Sequence, residues 1–252
     1  MTNNLECIKK RILVVSDNPE LTFFFQNECK KQNLECIAEV EYSYSVNNRY
    51  PSQMISLGAN KVNVKDIHFR KEAKDKYSLI ISIHCKQIFP KELVESVICV
   101  NFHPGLNPYN RGWYPQVFSI VNKLPLGATL HLMDSEVDHG LIIAQKEVIV
   151  KSSDTSLNVY RQVISAEKHL IEQNLISLVN QSYETISPIT EGNYNSISSF
   201  KELCKLDMDS IKPLREHIDL LRALTHGEHK NAYFLDGNQK KVYITINFQV
   251  SE

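Results

Sequence analysis

At 252 residues, 42% of them hydrophobic, and with a formal net charge of -1, the chain is long enough to bury a sizeable core and is nearly neutral. That balance excludes long-range attraction to nucleic acid or to an anionic membrane as the basis of function. No apolar run approaches the roughly 18 residues of a membrane span, and the opening MTNNLECIKKR has no signal-peptide core. The six cysteines, Cys7, Cys29, Cys36, Cys85, Cys99 and Cys204, form no C-x-x-C pair and no zinc spacing, which fits reduced thiols in a cytoplasmic protein.

Along the chain, Ile12-Leu13-Val14-Val15 reads as a buried strand. Ser16-Asp17-Asn18-Pro19 supplies a turn and a helix cap, and a helix follows over 20–31. Residues 34–40 read as a second strand, 42–60 as a loop, and 71–76 as a polar lead-in to a third strand over 79–83. A short helix starts at Phe89, a fourth strand covers 97–102, and a loop over 107–112 precedes a helix over 114–121. Strand candidates follow at 128–133 and 141–150, and the apolar spacing of 155–180 predicts a long helix. Strands alternating with helices imply an open, largely parallel α/β sheet. Pro188, Gly192 and several Ser and Asn break the pattern over 185–199, so a boundary divides residues 1–187 from 188–252. The second part is a small α+β subdomain, with a helix near 209–224 and strands at 231–235 and 241–250 forming a terminal hairpin about Gly237-Asn238.

The loop after the first strand, Val15-Ser16-Asp17-Asn18-Pro19-Glu20, contains no glycine. A pyrophosphate cradle needs glycine there, which argues against a dinucleotide-dependent oxidoreductase and a P-loop kinase. Chemistry is expected beyond the carboxyl ends of the central strands instead. In Val100-Asn101-Phe102-His103-Pro104, strand alternation puts Asn101 and His103 on one side. Asp138 follows about 35 residues later, just before Gly140. An amide donor, an imidazole and a carboxylate suit acyl transfer: the amide steadies an oxyanion, the imidazole moves a proton, and the carboxylate orients the imidazole. Taken singly, each residue more often forms a turn or bonds within a loop.

At these residues the chain resembles the formyltransferase family that uses N10-formyltetrahydrofolate. The resemblance rests on Asn101-Phe102-His103-Pro104, Arg111-Gly112-Trp113-Tyr114-Pro115 and Asp138-His139-Gly140, in the family's order and separation. It covers residues 11–185 and implies a Rossmann-like catalytic core with Asn101, His103 and Asp138 as the catalytic trio. Within the family the chain is most similar to the sugar N-formyltransferases of dTDP-linked 4-amino-4,6-dideoxy sugars. That similarity is carried by residues 107–116, by Glu191-Gly192-Asn193-Tyr194-Asn195-Ser196, and by the tail Leu221-Arg222-Ala223-Leu224-Thr225-His226-Gly227 with Asn231-Ala232-Tyr233-Phe234. Gly227 stands where the family commonly has proline.

The implied acceptor is dTDP-4-amino-4,6-dideoxyglucose, for a surface glycan such as O-antigen, and the implied formyl donor is N10-formyltetrahydrofolate. Folate is expected at Ile83, His84, Cys85 and Lys86, largely through backbone groups, and at Asp134. The nucleotide sugar is expected at Arg111, Gly112, Trp113, Tyr114 and Tyr233. The chemistry asks for no metal and no covalent enzyme intermediate. The C-terminal subdomain is expected to cover substrate and to build a homodimer, since exposed strand edges invite pairing.

Other members of the family fit less well. A tRNA formyltransferase needs a basic surface, whereas residues 191–252 carry 8 Lys/Arg against 9 Asp/Glu. A formyl-folate hydrolase usually carries an additional N-terminal domain, and the first strand here begins near residue 11. A catalytically silent folate or nucleotide-sugar binding protein is the alternative from a different class.

Overall fold

The computed structural model describes residues 9–251, and Cys7 lies outside them. Strand β1 (Lys10–Ser16) buries Ile12 to Val15 completely, as an apolar run covered on both faces should. Helix α1 (Pro19–Lys31) starts at Pro19, one residue earlier than the sequence reading, because Asn18 is its N-cap and accepts the Leu21 N–H at 3.1 Å.

The expected second strand is displaced. Asn33 is left-handed at φ 52°, and residues 34–36 close a 3-10 turn, so β2 runs Ala38–Ser45. The expected loop over 42–60 also holds structure: helix α2 (Ser52–Ser56) and strand β3 (Asn60–Val62), too short at 5 and 3 residues to show a period. The polar lead-in is a helix, α3 (Ile67–Lys76), started by Asp66 accepting the His68 and Phe69 N–H groups at 2.8 and 3.0 Å. Ala73 is its one fully buried residue, so no hydrophobic stripe marked it.

From there the order follows the sequence reading, except that the expected loop over 107–112 ends in a two-residue strand, β6 (Arg111–Gly112): β4 (Leu79–Ile83), α4 (Lys91–Val94), β5 (Cys99–His103), then after β6 come α5 (Pro115–Asn122), β7 (Leu126–Leu132), β8 (Ile142–Val148) and the 25-residue α6 (Ser156–Asn180). Beyond them lie β9 (Tyr194–Asn195), an unexpected helix α7 (Ile197–Cys204), α8 (Leu214–Leu224) and the hairpin β10 (Tyr233–Leu235) and β11 (Lys241–Tyr243).

The main sheet has seven strands in the order β3-β2-β1-β4-β5-β7-β8. Pairing is parallel from β3 to β5, and β7 joins β5 antiparallel. Strand order therefore reverses between β1 and β4, and the crevice outside their carboxyl ends is where open α/β sheets take ligands. Among the described residues no helix is long and apolar enough to cross a membrane.

The chain forms two compact units. One runs through His103 and includes Thr129–Gln145 and Glu167–Pro188; the other comprises Pro104–Ala128, Lys146–Ala166 and residues from Ile189 onward. The first packs Leu13, Val15, Ile80, Phe89 and Leu93 into one core. The second packs Val117, Ile120, Val159, Val163, Leu224 and Ala232.

At the strand-order reversal, the buried carboxylate of Asp17 ties two loops together. It accepts the Ser45 N–H at 3.0 Å, the Ser45 hydroxyl at 2.6 Å and the Lys86 N–H at 2.7 Å. Asp17→Ala leaves those donors unmatched, and each unsatisfied buried donor costs roughly 1–3 kcal/mol. We expect a loss of about 2 kcal/mol or more in urea unfolding, with the m value unchanged.

Candidate active site

Alternation along β5 buries Val100 and Phe102 and turns Asn101 and His103 to the other face. The antiparallel partner β7 sets His131 opposite Asn101 and Thr129 opposite His103. Directly opposed residues share a face of the sheet, so a second imidazole joins the first. Their rings meet edge to face with centroids 6.3 Å apart.

The turn between β7 and β8 brings in the carboxylate. Asp138 has a left-handed backbone, φ 52°, uncommon for a residue with a side chain. Gly140 is required beside it, because a Cβ there would fall on the carbonyl oxygen of Leu132. Asp138 Oδ1 accepts from Asn101 Nδ2 at 3.1 Å, and Oδ2 faces His103 Nδ1 at 3.4 Å. His131 Nε2 lies 3.6 Å from Oδ1 and 3.4 Å from Asn101 Nδ2. Its Nδ1 sits 2.7 Å from the Leu132 carbonyl oxygen, to which it must donate a proton. That bond fixes the tautomer, leaving Nε2 to accept from Asn101 or, when protonated, to donate to Asp138.

Asn101, His103 and Asp138, singled out from the sequence, are therefore brought together. His131 was missed. Its signal was a histidine on an expected strand, two residues from Thr129 and seven before Asp138, and recognising it required knowing that this strand pairs with β5.

The loop after β4 is held at several points. Ile83 is fully buried, so its side chain belongs to the core. His84, at φ 53°, directs Nε2 to both carboxylate oxygens of Glu167, each 2.9 Å away. Burial pushes the Glu167 carboxyl up from its ordinary range, and the neighbouring imidazole opposes this. Cys85 packs against the first core, and burial pushes its thiol up to about 12, which disqualifies it as a nucleophile near neutral pH. Lys86 gives its N–H to Asp17, and its carbonyl accepts from Asn47 at 3.0 Å. Asp134 bonds the Glu136 N–H at 2.8 Å and His139 Nδ1 at 3.1 Å.

In the second unit, two segments that the sequence reading quoted separately prove to be paired: β6 and β9 are parallel neighbours, with Arg111 opposite Tyr194 and Gly112 opposite Asn195. Asn110, fully buried at φ 51°, is the hub. Its N–H goes to Asn193 Oδ1 at 2.9 Å, and its Oδ1 accepts from Asn122, Asn193 and Asn195 at 3.0, 2.9 and 3.3 Å. Arg111 is paired with Glu191 at 2.8 Å. Gly112, at φ 90°, has no room for a Cβ against Tyr194 and Asn195. Trp113 and Tyr114 are partly exposed, with centroids 5.9 Å apart, and Tyr114 lies 4.1 Å from the Phe200 ring. Tyr233 belongs to the hairpin, where it meets Tyr243 at 5.9 Å and carries Lys241 Nζ 4.0 Å over its ring.

Residues 9–175 match the family model described as formyl transferase, and 199–250 match that of an N-formyltransferase dimerization C-terminal domain. The dTDP-4-amino-4,6-dideoxyglucose formyltransferase of Mycobacterium bovis is 43% identical over 175 residues, 69% of this chain and 75% of the relative. A sugar N-formyltransferase from Shewanella sp. superposes with a TM-score of 0.94 at 48% identity, covering 96% of this chain and 99% of its own. A 4-N formyltransferase from Francisella tularensis superposes at 0.90 with 42% identity and the same coverage.

The close approach at Gly140 supplies a test. Gly140→Ala must move the Asp138 turn, and a misplacement of 1 Å can cost on the order of 10² in rate. Steady-state assays should show kcat at least tenfold lower, with melting temperature falling by no more than a few degrees.

Proposed function

The chain belongs to the formyl transferase family and is an N-formyltransferase; we propose that it moves the formyl group of N10-formyltetrahydrofolate to the 4-amino group of dTDP-4-amino-4,6-dideoxyglucose. The observation that carries the mechanism is the bonded cluster at the carboxyl end of β5, with Asp138 within 3.1 Å of Asn101 and 3.4 Å of His103. The neutral amine attacks the formyl carbon. Asn101 donates to the tetrahedral oxyanion, a contact worth roughly 3 kcal/mol. His103, held by Asp138, takes the proton that the amine sheds. The bond from carbon to N10 then breaks, and tetrahydrofolate leaves with a proton on that nitrogen.

We assign the donor to the crevice at the strand-order reversal, along residues 83–86 and with Asp134. The acceptor is assigned to Arg111, Gly112, Trp113, Tyr114 and Tyr233, with the partly exposed aromatic rings stacking on the base or covering the sugar. The named relatives and the resemblance at residues 107–116 and 191–196 support the 4-amino sugar, whose formylated product would enter a surface glycan such as O-antigen. The five described cysteines are free, which suits a reducing compartment, and we place the enzyme in the cytoplasm. We further propose a homodimer built through the C-terminal subdomain. Its exposed Met208, Ile211, Leu214, Val242 and Tyr243 are apolar side chains with surface to bury.

The protein should be incubated with N10-formyltetrahydrofolate and a panel of nucleotide amino sugars, following tetrahydrofolate release and sugar mass. A gain of one formyl group on the dTDP-4-amino sugar is expected. Folate turnover without formylated sugar would contradict the acceptor and point to a hydrolase or a different amine.

A further inference from the structure

His84, partly buried, and Glu167, fully buried, form a pair that the transfer chemistry does not use. Glu167 is fully buried on α6, and among the described residues its hydrogen-bonding partner is His84, with Nε2 2.9 Å from each carboxylate oxygen. The other ring nitrogen, Nδ1, lies 3.4 Å from Asn18 Nδ2, the side chain that caps α1. His84 thus spans the strand-order reversal, from the loop leaving β4 to the loop leaving β1. The register sets Ser82 beside Asn101 and Ile83 beside Phe102, so this loop leaves the sheet next to the catalytic strand.

His84 also holds a left-handed backbone, which a side chain disfavours and which persists only where the surroundings fix it. The surroundings fix it four times: Glu167 and Asn18 hold the ring, Asp17 holds the Lys86 N–H, and Gln87 is buried with its side chain on Val64 N–H and Asn63. A loop pinned this way is shaped before its ligand arrives, which lowers the ordering cost of binding. Ile88, exposed at the end of the same loop, offers an apolar contact.

We propose that His84 is a positioning residue for the formyl donor: its bond to Glu167 holds the loop after β4 in the shape that receives the folate, without the imidazole taking part in the transfer. This rests on the assignment of the donor to that loop. A buried carboxylate there serves as an acceptor for Nε2–H that cannot be lost to water, and it lies behind the loop where it does not compete for the ligand.

The test separates side-chain pinning from backbone strain. His84→Gly removes the tether and relieves the φ, Glu167→Leu removes the acceptor, and Glu167→Gln keeps an acceptor oxygen of the same shape. In the full chain we expect the donor KM to rise at least tenfold in His84→Gly and Glu167→Leu. The acceptor KM should stay within threefold, and kcat at saturating donor should fall far less than the donor KM rises. Glu167→Gln should restore the donor KM to within threefold of wild type. Amide hydrogen exchange across residues 84–88 should quicken at least tenfold in the two disruptive variants. A donor KM within threefold of wild type in His84→Gly, or a fall in kcat without a rise in donor KM, overturns the assignment. If wild type does not turn over this donor, the proposed function fails, and unchanged exchange in His84→Gly separately sinks the pinning.

Discussion

A carboxylate taken largely out of water must be matched by donors, and Asp138 is matched from three sides. Asn101 reaches one oxygen, His103 the other, and His131 approaches the first from across the ladder. Everything else about the site follows from placing those groups. The antiparallel register sets His131 opposite Asn101. The left-handed backbone of Asp138 and the missing Cβ of Gly140 let the turn fold back onto β7. Low solvent access then makes each of these contacts stronger than it would be in water, and makes a broken one correspondingly costly.

The same device, a special backbone held by polar side chains, recurs in each unit. His84 is fixed by Glu167, and Asn110 is fixed by Asn122, Asn193 and Asn195. Left-handed residues with side chains cost energy, so the surrounding hydrogen bonds have to over-determine them. His84 opens the loop that leaves β4, and Asn110 closes the loop that leads into β6. Strand ends are where α/β folds put recognition, and the buried strand β4 gives the loop after it a rigid base.

Much of this was legible in the sequence because it rests on short-range rules. Continuous apolar runs marked β1, β4 and β5, and the Asn18-Pro19 signal marked α1. The order of helices and strands marked the sheet class. The gaps have physical causes. Helix α3 buries one residue fully, so it shows no stripe; β2 is re-registered by a left-handed Asn33; and α2 and β3 are shorter than any period. The trio stood out through motif order, as N-F-H-P and a downstream D-x-G. His131 did not, because its role depends on which strand lies beside β5, a non-local fact. The pairing of residues 110–112 with 193–195 is of the same kind: both segments drew notice, but only the fold joins them.

We propose that Asn101 and His103, held by Asp138, perform the transfer rather than merely bind. The rate of the chemical step in a single turnover, enzyme in excess over N10-formyltetrahydrofolate and saturating dTDP-4-amino sugar, tests it most directly. For Asn101→Ala and His103→Ala, checked to be folded, the rate should fall by on the order of 10² to 10⁴, with donor affinity nearly unchanged. A near-normal rate in either variant would return that residue to a structural role.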